Sequence, residues 1–338
     1  MIAGSMMAAE LAEQPEVLGR LVSRHEADRE RVRASLPDSL AGTVLLARGS
    51  SDNVAVYGRY LIELAARRPA GLAAPSVHTR YEADVDYSGY LVVALSQSGA
   101  TPEIVETAAR MRRSGAVVVG ITNEPGSPLT QAGDLTLLTD AGPELAVPAT
   151  KTVTAQMLAV AAIAAAFDPS LVTMADLAAL PAAVASLVAD PGAAQAVAAR
   201  WPQARRLIVT GRGLAYAAAL ETALKIKETA RVHAEGLSSA DLLHGPIAAL
   251  DARLPVIVVS GGDRFASDEA ALAARLATEG VPYAVCGRGG DLPLPPASEV
   301  STPILATVRG QQLALAASLL RGLNPDAPAG LSKVTATH

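Results

Sequence analysis

The sequence predicts an α/β protein built from two parallel-sheet, three-layer units in tandem. Three observations carry this. Short unbroken apolar runs alternate with longer helical stretches. Those runs lack the in–out alternation of a sheet with one wet face, so helices are expected on both faces. And the order strand, glycine turn, helix in the first half recurs in the second at about the same spacing, which reads as an internal duplication. The 338 residues suit about two domains. Half of them are hydrophobic and only 3% aromatic, so the core is expected to be Ala, Leu, Val and Ile.

In chain order, Glu10, Glu13 and Glu16 alternate with Leu11, Val17, Leu18 and Leu21, giving an amphipathic lead-in helix over residues 10 to about 35. Buried strands are predicted over 43–47, 90–95, 116–121 and 135–138. Helices are predicted over 54–67, from Pro102 with Glu103 in its first turn, and from about Thr150. An Ala-rich helical stretch from 169 to about 201, broken at Pro181 and Pro191, is read as a connection. Strands resume over 206–210, 255–259, 281–286 and 302–306. The boundaries that follow are a lead-in over 1–30, a first domain over 31–168, a connection over 169–200, a second domain over 201–322 and a tail over 323–338.

Composition narrows the function. A net charge of −5, with no dense Lys/Arg cluster among aromatics, argues against nucleic acid as a partner. The single Cys286 leaves no internal disulfide and no cysteine zinc site, and fits a reducing, cytoplasmic setting. The start lacks the basic and apolar segments of a signal peptide. The longest apolar run, 157–167, is too short to cross a bilayer, so no membrane partner is expected.

Two stretches carry chemistry. The first is the turn Ser96, Gln97, Ser98, Gly99, Ala100, Thr101, running from a strand into a helix N-terminus. Hydroxyl and N–H donors there point one way, the helix dipole favours an anion, and Gly99 lets the backbone come close. A phosphate cradle and an ordinary turn with helix-capping serines both fit. Neither GxxxxGK[ST] nor GxGxxG occurs, so a phosphorylated small molecule is indicated rather than a nucleotide. The first half carries hydroxyls in its loops, at Ser50, Ser51, Ser96, Ser98 and Thr101. The second half has glycines in matching places and is expected to have kept mainly the scaffold.

The second stretch is 220–246, LETALKIKETARVHAEGLSSADLLHGP. Glu221, Lys225 and Glu228 fall at i, i+4 and i+7 on one helix face, and His244 follows in a turn. An acid, a base and a cation together suit proton transfer; a solvated face with ion pairs is the ordinary alternative.

SQSGAT, the Gly211-Arg212-Gly213 strand end, ALKIKE, HAEG, LLHGP and the terminal GLSKVT together resemble the double sugar-isomerase (SIS) domain family, over almost the whole chain. The likeness extends to the isomerase half of glucosamine-6-phosphate synthases and, through RGSSDN, AAPSV and the tail, to stand-alone glucosamine-6-phosphate deaminases of this family. It implies two flavodoxin-like domains. It also implies that Ser51, Ser96, Gln97, Ser98 and Thr101 hold a sugar phosphate. By the same resemblance Glu228 moves a proton between C1 and C2 of the open-chain sugar. His244 assists ring opening from the partner subunit, which makes a homodimer the expected state. Lys333 lies at the C1–C2 end, Lys225 and Glu221 support Glu228, and Val147 and Ala149 belong to a sugar-contacting loop. The synthase pattern has serine where Ala149 stands. His233 is read as a structural histidine at a helix end and His78 as a packing or loop residue.

An aldose–ketose shift needs one base on one face of an enediol, which a Glu kept ionised beside cations supplies. Lys333, in a Gly- and Pro-rich tail, is expected to close over a bound sugar. No cofactor is expected, and the His and carboxylate residues show no metal spacing. The expected activity is deamination of a phosphorylated amino sugar, glucosamine 6-phosphate, to fructose 6-phosphate and ammonia. No glutaminase segment is seen, so glutamine-dependent synthesis is not expected of this chain alone. A fructosamine-6-phosphate deglycase or another phosphosugar isomerase is the alternative within enzymes. A sugar-phosphate sensor is the alternative outside them.

Overall fold

The computed structural model describes residues 2–333; Val334 and Thr335 of the tail motif lie outside the described residues. In chain order the elements are α1 (Ser5–Ser35), β1 (Gly42–Leu46), α2 (Ser50–Ala66), β2 (Ala70–Leu72), α3 (Ser76–Thr79), β3 (Tyr90–Leu95) and α4 (Pro102–Arg113). Then come β4 (Val117–Thr122), α5 (Pro128–Ala132), β5 (Leu135–Leu138), α6 (Lys151–Phe167), α7 (Met174–Ala189) and α8 (Gly192–Arg200). The second run is β6 (Arg206–Gly211), α9 (Ala215–Ala230), β7 (His233–Ser238), α10 (Ser239–Leu243), β8 (Val256–Val259), α11 (Ala266–Thr278), β9 (Tyr283–Gly287), β10 (Leu292–Pro293) and α12 (Thr302–Leu320).

The strands form two five-stranded sheets, parallel throughout. The first has order β2-β1-β3-β4-β5; the second, β10-β9-β8-β6-β7, is the same order read from its other edge. The topology therefore shows the duplication directly. In each sheet the chain winds outward one strand, then returns past its starting strand and winds the other way. The reversal falls between β1 and β3, and between β6 and β8. Loops leaving those strand ends diverge and leave a crevice, which is where open α/β sheets bind ligands.

By contacts the chain divides into two compact units. The first holds Glu16–Glu144 and Lys151–Ala178; the second holds the residues before Glu16, the segment Leu145–Thr150 and Ala179–Lys333. In the first unit one face of the sheet packs Leu46, Val92, Ala94 and Val118 against Ile104, Ala108 and Met111 of α4. Truncating a core side chain such as Met111 to Ala would cost about 2–5 kcal/mol. On the other face lie α2 and α6, and α6 is buried from Lys151 through Ala166. Gly58 permits that approach: a Cβ there would lie 2.6 Å from Leu45 Cδ2 and 2.9 Å from Val160 Cγ1. In the second unit α9 packs along α12, and a Cβ on Gly310 would lie 3.0 Å from Thr222 Cβ.

Several boundaries differ from the sequence reading. The apolar stretch 302–306 is the first turn of α12, not a strand, and the fifth strand of the sheet is the two-residue β10. A short apolar run has no period of its own, and here Pro303 in the first turn begins a long helix. His233 opens β7 rather than ending a helix, because α9 stops at Arg231 in the left-handed conformation. Helix α2 begins at Ser50, so Ser50 and Ser51 lie in its first turn.

Candidate functional site

The crevice of the first unit is built by the turns after β1 and β3. After β1 the chain turns at Gly49, φ 61°, and the N–H of Asp52 donates to Gly49 O at 2.9 Å, opening α2. Ser51 is buried there and its Oγ donates to Gln156 Oε1 of α6 at 3.0 Å. Gln156 Nε2 is buried with no hydrogen-bond partner among the described residues. If the amide turned over, Nε2 would donate to Ser51 and release the serine proton for a ligand oxygen.

After β3 the turn is held by its backbone. Gly99 N–H donates to Ser96 O at 3.1 Å, Leu129 N–H to Gly99 O at 2.9 Å, and Asn123 N–H to Gln97 O at 3.0 Å. Gly99 has φ 59°, and a Cβ there would overlap Ser127 Oγ and lie 2.7 Å from Thr122 Oγ1. Only glycine fits this turn. The hydroxyls of Ser96 and Thr101 share a hydrogen bond of 3.2 Å, and Ser98 Oγ accepts from Ala100 N–H at 3.3 Å. Thr101 precedes α4 without capping it through its side chain; Pro102 has no N–H and Ile104 N–H donates to Thr101 O at 3.1 Å, which leaves the Glu103 N–H of the first turn for an anion. Arg48 Nε pairs with Glu103 Oε2 at 3.0 Å and ties the two turns together. Burial pushes the Asp52 carboxyl up, with Arg48 pulling the other way.

In the second unit α9 presents Glu221, Lys225 and Glu228. Lys225 Nζ pairs with Glu228 and lies 3.5 Å from Glu221 Oε1. The side chains of Lys225 and Glu221 are 1% and 2% exposed, and that of Glu228 is 23% exposed. A solvated face is thereby excluded for Lys225 and Glu221. The ammonium is offset in its burial by two carboxylates, and Glu228 alone keeps a path to solvent. Gly236 of β7 lets the neighbouring face of α9 come close: a Cβ there would lie 2.9 Å from Leu220 Cδ2 and 3.4 Å from Ala223 Cβ.

The segment Leu145–Thr150 also belongs to the second unit. Val147 and Ala149 are half-buried there, and Lys333 Nζ donates to Ala146 O at 2.7 Å. His244 ends α10, which Ser238 caps by accepting from Asp241 N–H at 3.0 Å. Its ring is exposed and makes no hydrogen bond or ion pair among the described residues. His78 is buried and shares a 3.0 Å hydrogen bond with Tyr87 Oη, with burial holding its pKa down; it packs.

The structure thus gathers Ser96, Gln97, Ser98 and Thr101 in one turn, beside the helix that bears Ser51. It joins Glu221, Lys225 and Glu228 on one helix, and seats Lys333 against the Val147 segment. His244 makes no hydrogen bond or ion pair with any of these groups among the described residues. The sequence reading placed Glu10 on the polar side of the lead-in helix, where the structure buries it, and did not single out Gln156 or the wholly buried Lys151. A glutamine and a lysine within an apolar helix were the available signals for the last two. Among the described residues no three of His, Cys, Asp and Glu are placed to hold a metal ion.

In the second unit the Phe265 ring lies against the turns after β6 and β8, and an open cavity of about 670 Å³ lined by Ser260, Gly262, Arg264, Gly287, Arg288 and Glu299 adjoins the β8 turn. A Cβ on Gly213 or Gly261 would come within 2.6 Å of the Phe265 ring. Glu269 accepts from Ser260 Oγ at 2.7 Å and from Gly261 N–H at 2.6 Å.

Known proteins match this architecture. The SIS domain model matches residues 43–166 and 202–291. A glutamine–fructose-6-phosphate aminotransferase (isomerizing) from Chlorobaculum tepidum is 32% identical over 97% of this chain, which spans 57% of that relative. A crystal structure from Silicibacter pomeroyi, assigned as a phosphosugar isomerase, is 33% identical with a TM-score of 0.85, over 95% of this chain and 99% of that one. Glucosamine-6-phosphate deaminase from Thermotoga maritima shares the fold at a TM-score of 0.80, with 22% identity, over 98% of this chain and 100% of that one.

Proposed function

The chain belongs to the SIS domain family, and from that premise we propose that it is a phosphosugar isomerase acting on glucosamine 6-phosphate. In this reading it releases ammonia and forms fructose 6-phosphate. The observation that carries the reading is the α9 array: a partly exposed Glu228 paired with a buried Lys225, itself backed by Glu221. A carboxylate held in place at a solvent-accessible point is what proton transfer between neighbouring carbons requires.

The roles are those that the resemblance to the family implies for these positions. The phosphate is taken by the hydroxyls of Ser51, Ser96, Ser98 and Thr101, by Gln97 and by the start of α4. Val147 and Ala149 contact the sugar chain. His244, contributed across a homodimer, assists ring opening. Glu228 removes the C2 proton of the open-chain amino aldehyde and returns it at C1, so an enolamine becomes a ketimine. Water then adds to the ketimine carbon and ammonia leaves, giving the ketone. Lys333 stabilises the oxygen at C1. The scheme needs no cofactor. The same proton shift serves amination and deamination; release is the direction that needs only water as second reactant.

The test is ammonia release from glucosamine 6-phosphate by the wild type, compared with Glu228→Gln. Loss of turnover by about a hundredfold or more, with sugar-phosphate binding kept, is expected. A wild type that releases no ammonia from this substrate, but does from a fructosamine 6-phosphate, would move the assignment to a deglycase. Binding of both without turnover would leave a sensor.

A further inference from the structure

We propose that Glu10 is a positioning residue for Lys333, acting through the backbone of Leu145–Val147. This deepens the reading above, since it takes Lys333 to serve the sugar.

Glu10 lies in α1 and is 4% exposed. A carboxylate so placed must be met by donors. It is met by two successive backbone N–H groups, those of Leu145 and Ala146, which both donate to Oε1, Ala146 at 3.0 Å. The next peptide is held on both of its edges. Its N–H, from Val147, donates to Asp326 O at 2.9 Å, and its carbonyl, from Ala146, accepts from Lys333 Nζ at 2.7 Å. Asp326 is in turn fixed to the start of α1. Its carboxylate accepts from Met7 N–H at 2.9 Å and Met6 N–H at 3.2 Å, and it is 2% exposed. Met7, Leu11 and Ala146 pack together beneath this network.

Consecutive peptide planes are joined through the φ and ψ of one Cα, so their mutual direction is fixed only when each plane is held. Glu10 sets the planes before Ala146, and Asp326 sets the one after it, so the Ala146 carbonyl has a single direction. That carbonyl is the acceptor that brings a tail lysine to a defined place. Without Glu10, the N–H groups of Leu145 and Ala146 lose their acceptor and the segment is drawn toward water. The Ala146 carbonyl is then held from the Val147 side alone, and its hold on Lys333 loosens.

The experiment compares full-length wild type, Glu10→Ala, Lys333→Met and the double variant. The first readout is the labelling rate of Lys333 by an amine-selective reagent, resolved by mass spectrometry, with the exposed Lys227 of α9 as internal standard. Labelling is run where all variants keep the wild-type far-ultraviolet spectrum. Lys333 should label about tenfold faster in Glu10→Ala, and near the wild-type rate in Glu10→Gln, which keeps an acceptor oxygen. The second readout is turnover. Glu10→Ala should lower kcat about tenfold with little change in KM, and should add nothing in the Lys333→Met background. If Glu10→Ala does not fold, Glu10→Asp keeps the charge and withdraws the oxygen, and should show the same changes more weakly.

Unchanged labelling of Lys333, or effects of the two substitutions that multiply, would overturn the proposal. A wild type inactive on glucosamine 6-phosphate would overturn the function reading alone. The labelling rates would then still decide the role of Glu10.

Discussion

The turns at β1 and β3 carry Ser51 and Ser96–Thr101, whose hydroxyls gather at the starts of α2 and α4. Their counterparts at β6 and β8 carry Gly211–Gly213 and Ser260–Gly262, with an open cavity of about 670 Å³ beside the latter turn. Phe265 lies against both glycine turns, and Arg212 stands over its ring, 5.7 Å from the centroid. Glu269 takes the hydroxyl of Ser260 and the N–H of Gly261. A built-in carboxylate thus sits where an anionic ligand would find donors. The same topology leaves the donors for a ligand or has them already met, depending on whether a neighbouring side chain reaches them first. It also explains the glycines of the second half: they admit an aromatic ring, not a phosphate.

Four measurements break or sharpen this contrast. The largest effect is expected from Gly99→Ala, which combines a left-handed backbone with overlap on Ser127. It should lower stability by about 2–4 kcal/mol in urea unfolding and abolish sugar-phosphate binding. Gly213→Ala, also at positive φ, should cost less, because the half-buried Phe265 ring can swing aside, and should leave binding intact.

Next come the two serines that follow β3 and β8. Ser96→Ala should weaken sugar-phosphate binding by about tenfold in calorimetry, with stability nearly unchanged. Ser260→Ala should cost about 1 kcal/mol of stability and leave binding unchanged, because its hydroxyl serves Glu269. Equal effects on binding would show that the crevices are not divided as described.

A smaller effect concerns pH. Burial raises the Glu269 carboxyl above its ordinary value, against the lowering effect of its hydrogen bonds to Gly261 and Ser260. A carboxyl with a raised folded pKa is easier to protonate in the fold than in the unfolded chain. Its contribution therefore favours folding below the ordinary carboxylate range and is lost as pH rises through the raised value. Glu269→Gln should flatten that part of the stability profile. The smallest signal is chemical: burial pushes the Cys286 thiol up to about 12. The native protein should resist thiol reagents near pH 8 and react only as β9 opens in urea. Rapid native labelling would show that the packing around β9 is looser than described.

Much of this molecule was readable before its structure. The parallel strands, the duplicated order and the Ser96–Thr101 turn follow from continuous apolar runs and from small residues at fixed places. The spacing of Glu221, Lys225 and Glu228 put them on one face, as found. The run 302–306 misled, because five apolar residues carry no period that separates strand from helix. Ser51 read as a loop serine because Gly49, not a polar cap, starts its helix.

The sequence by itself determined local chemistry: which residues share a turn or a helix face, and that the first half is richer in donors than the second. Those properties depend on neighbours within a few positions. Tertiary structure alone decided what is buried and what is met. Lys225 could be a solvated lysine or a buried one, and only packing of α9 against β7 and α12 removes its water. Likewise Glu10 reaches the segment at Leu145 and Ala146, and Lys333 reaches Ala146, across 135, 136 and 187 positions of chain. A carboxylate or ammonium has no sequence period that reveals its partner. The partner is fixed by the apolar core that brings distant backbone within hydrogen-bonding distance.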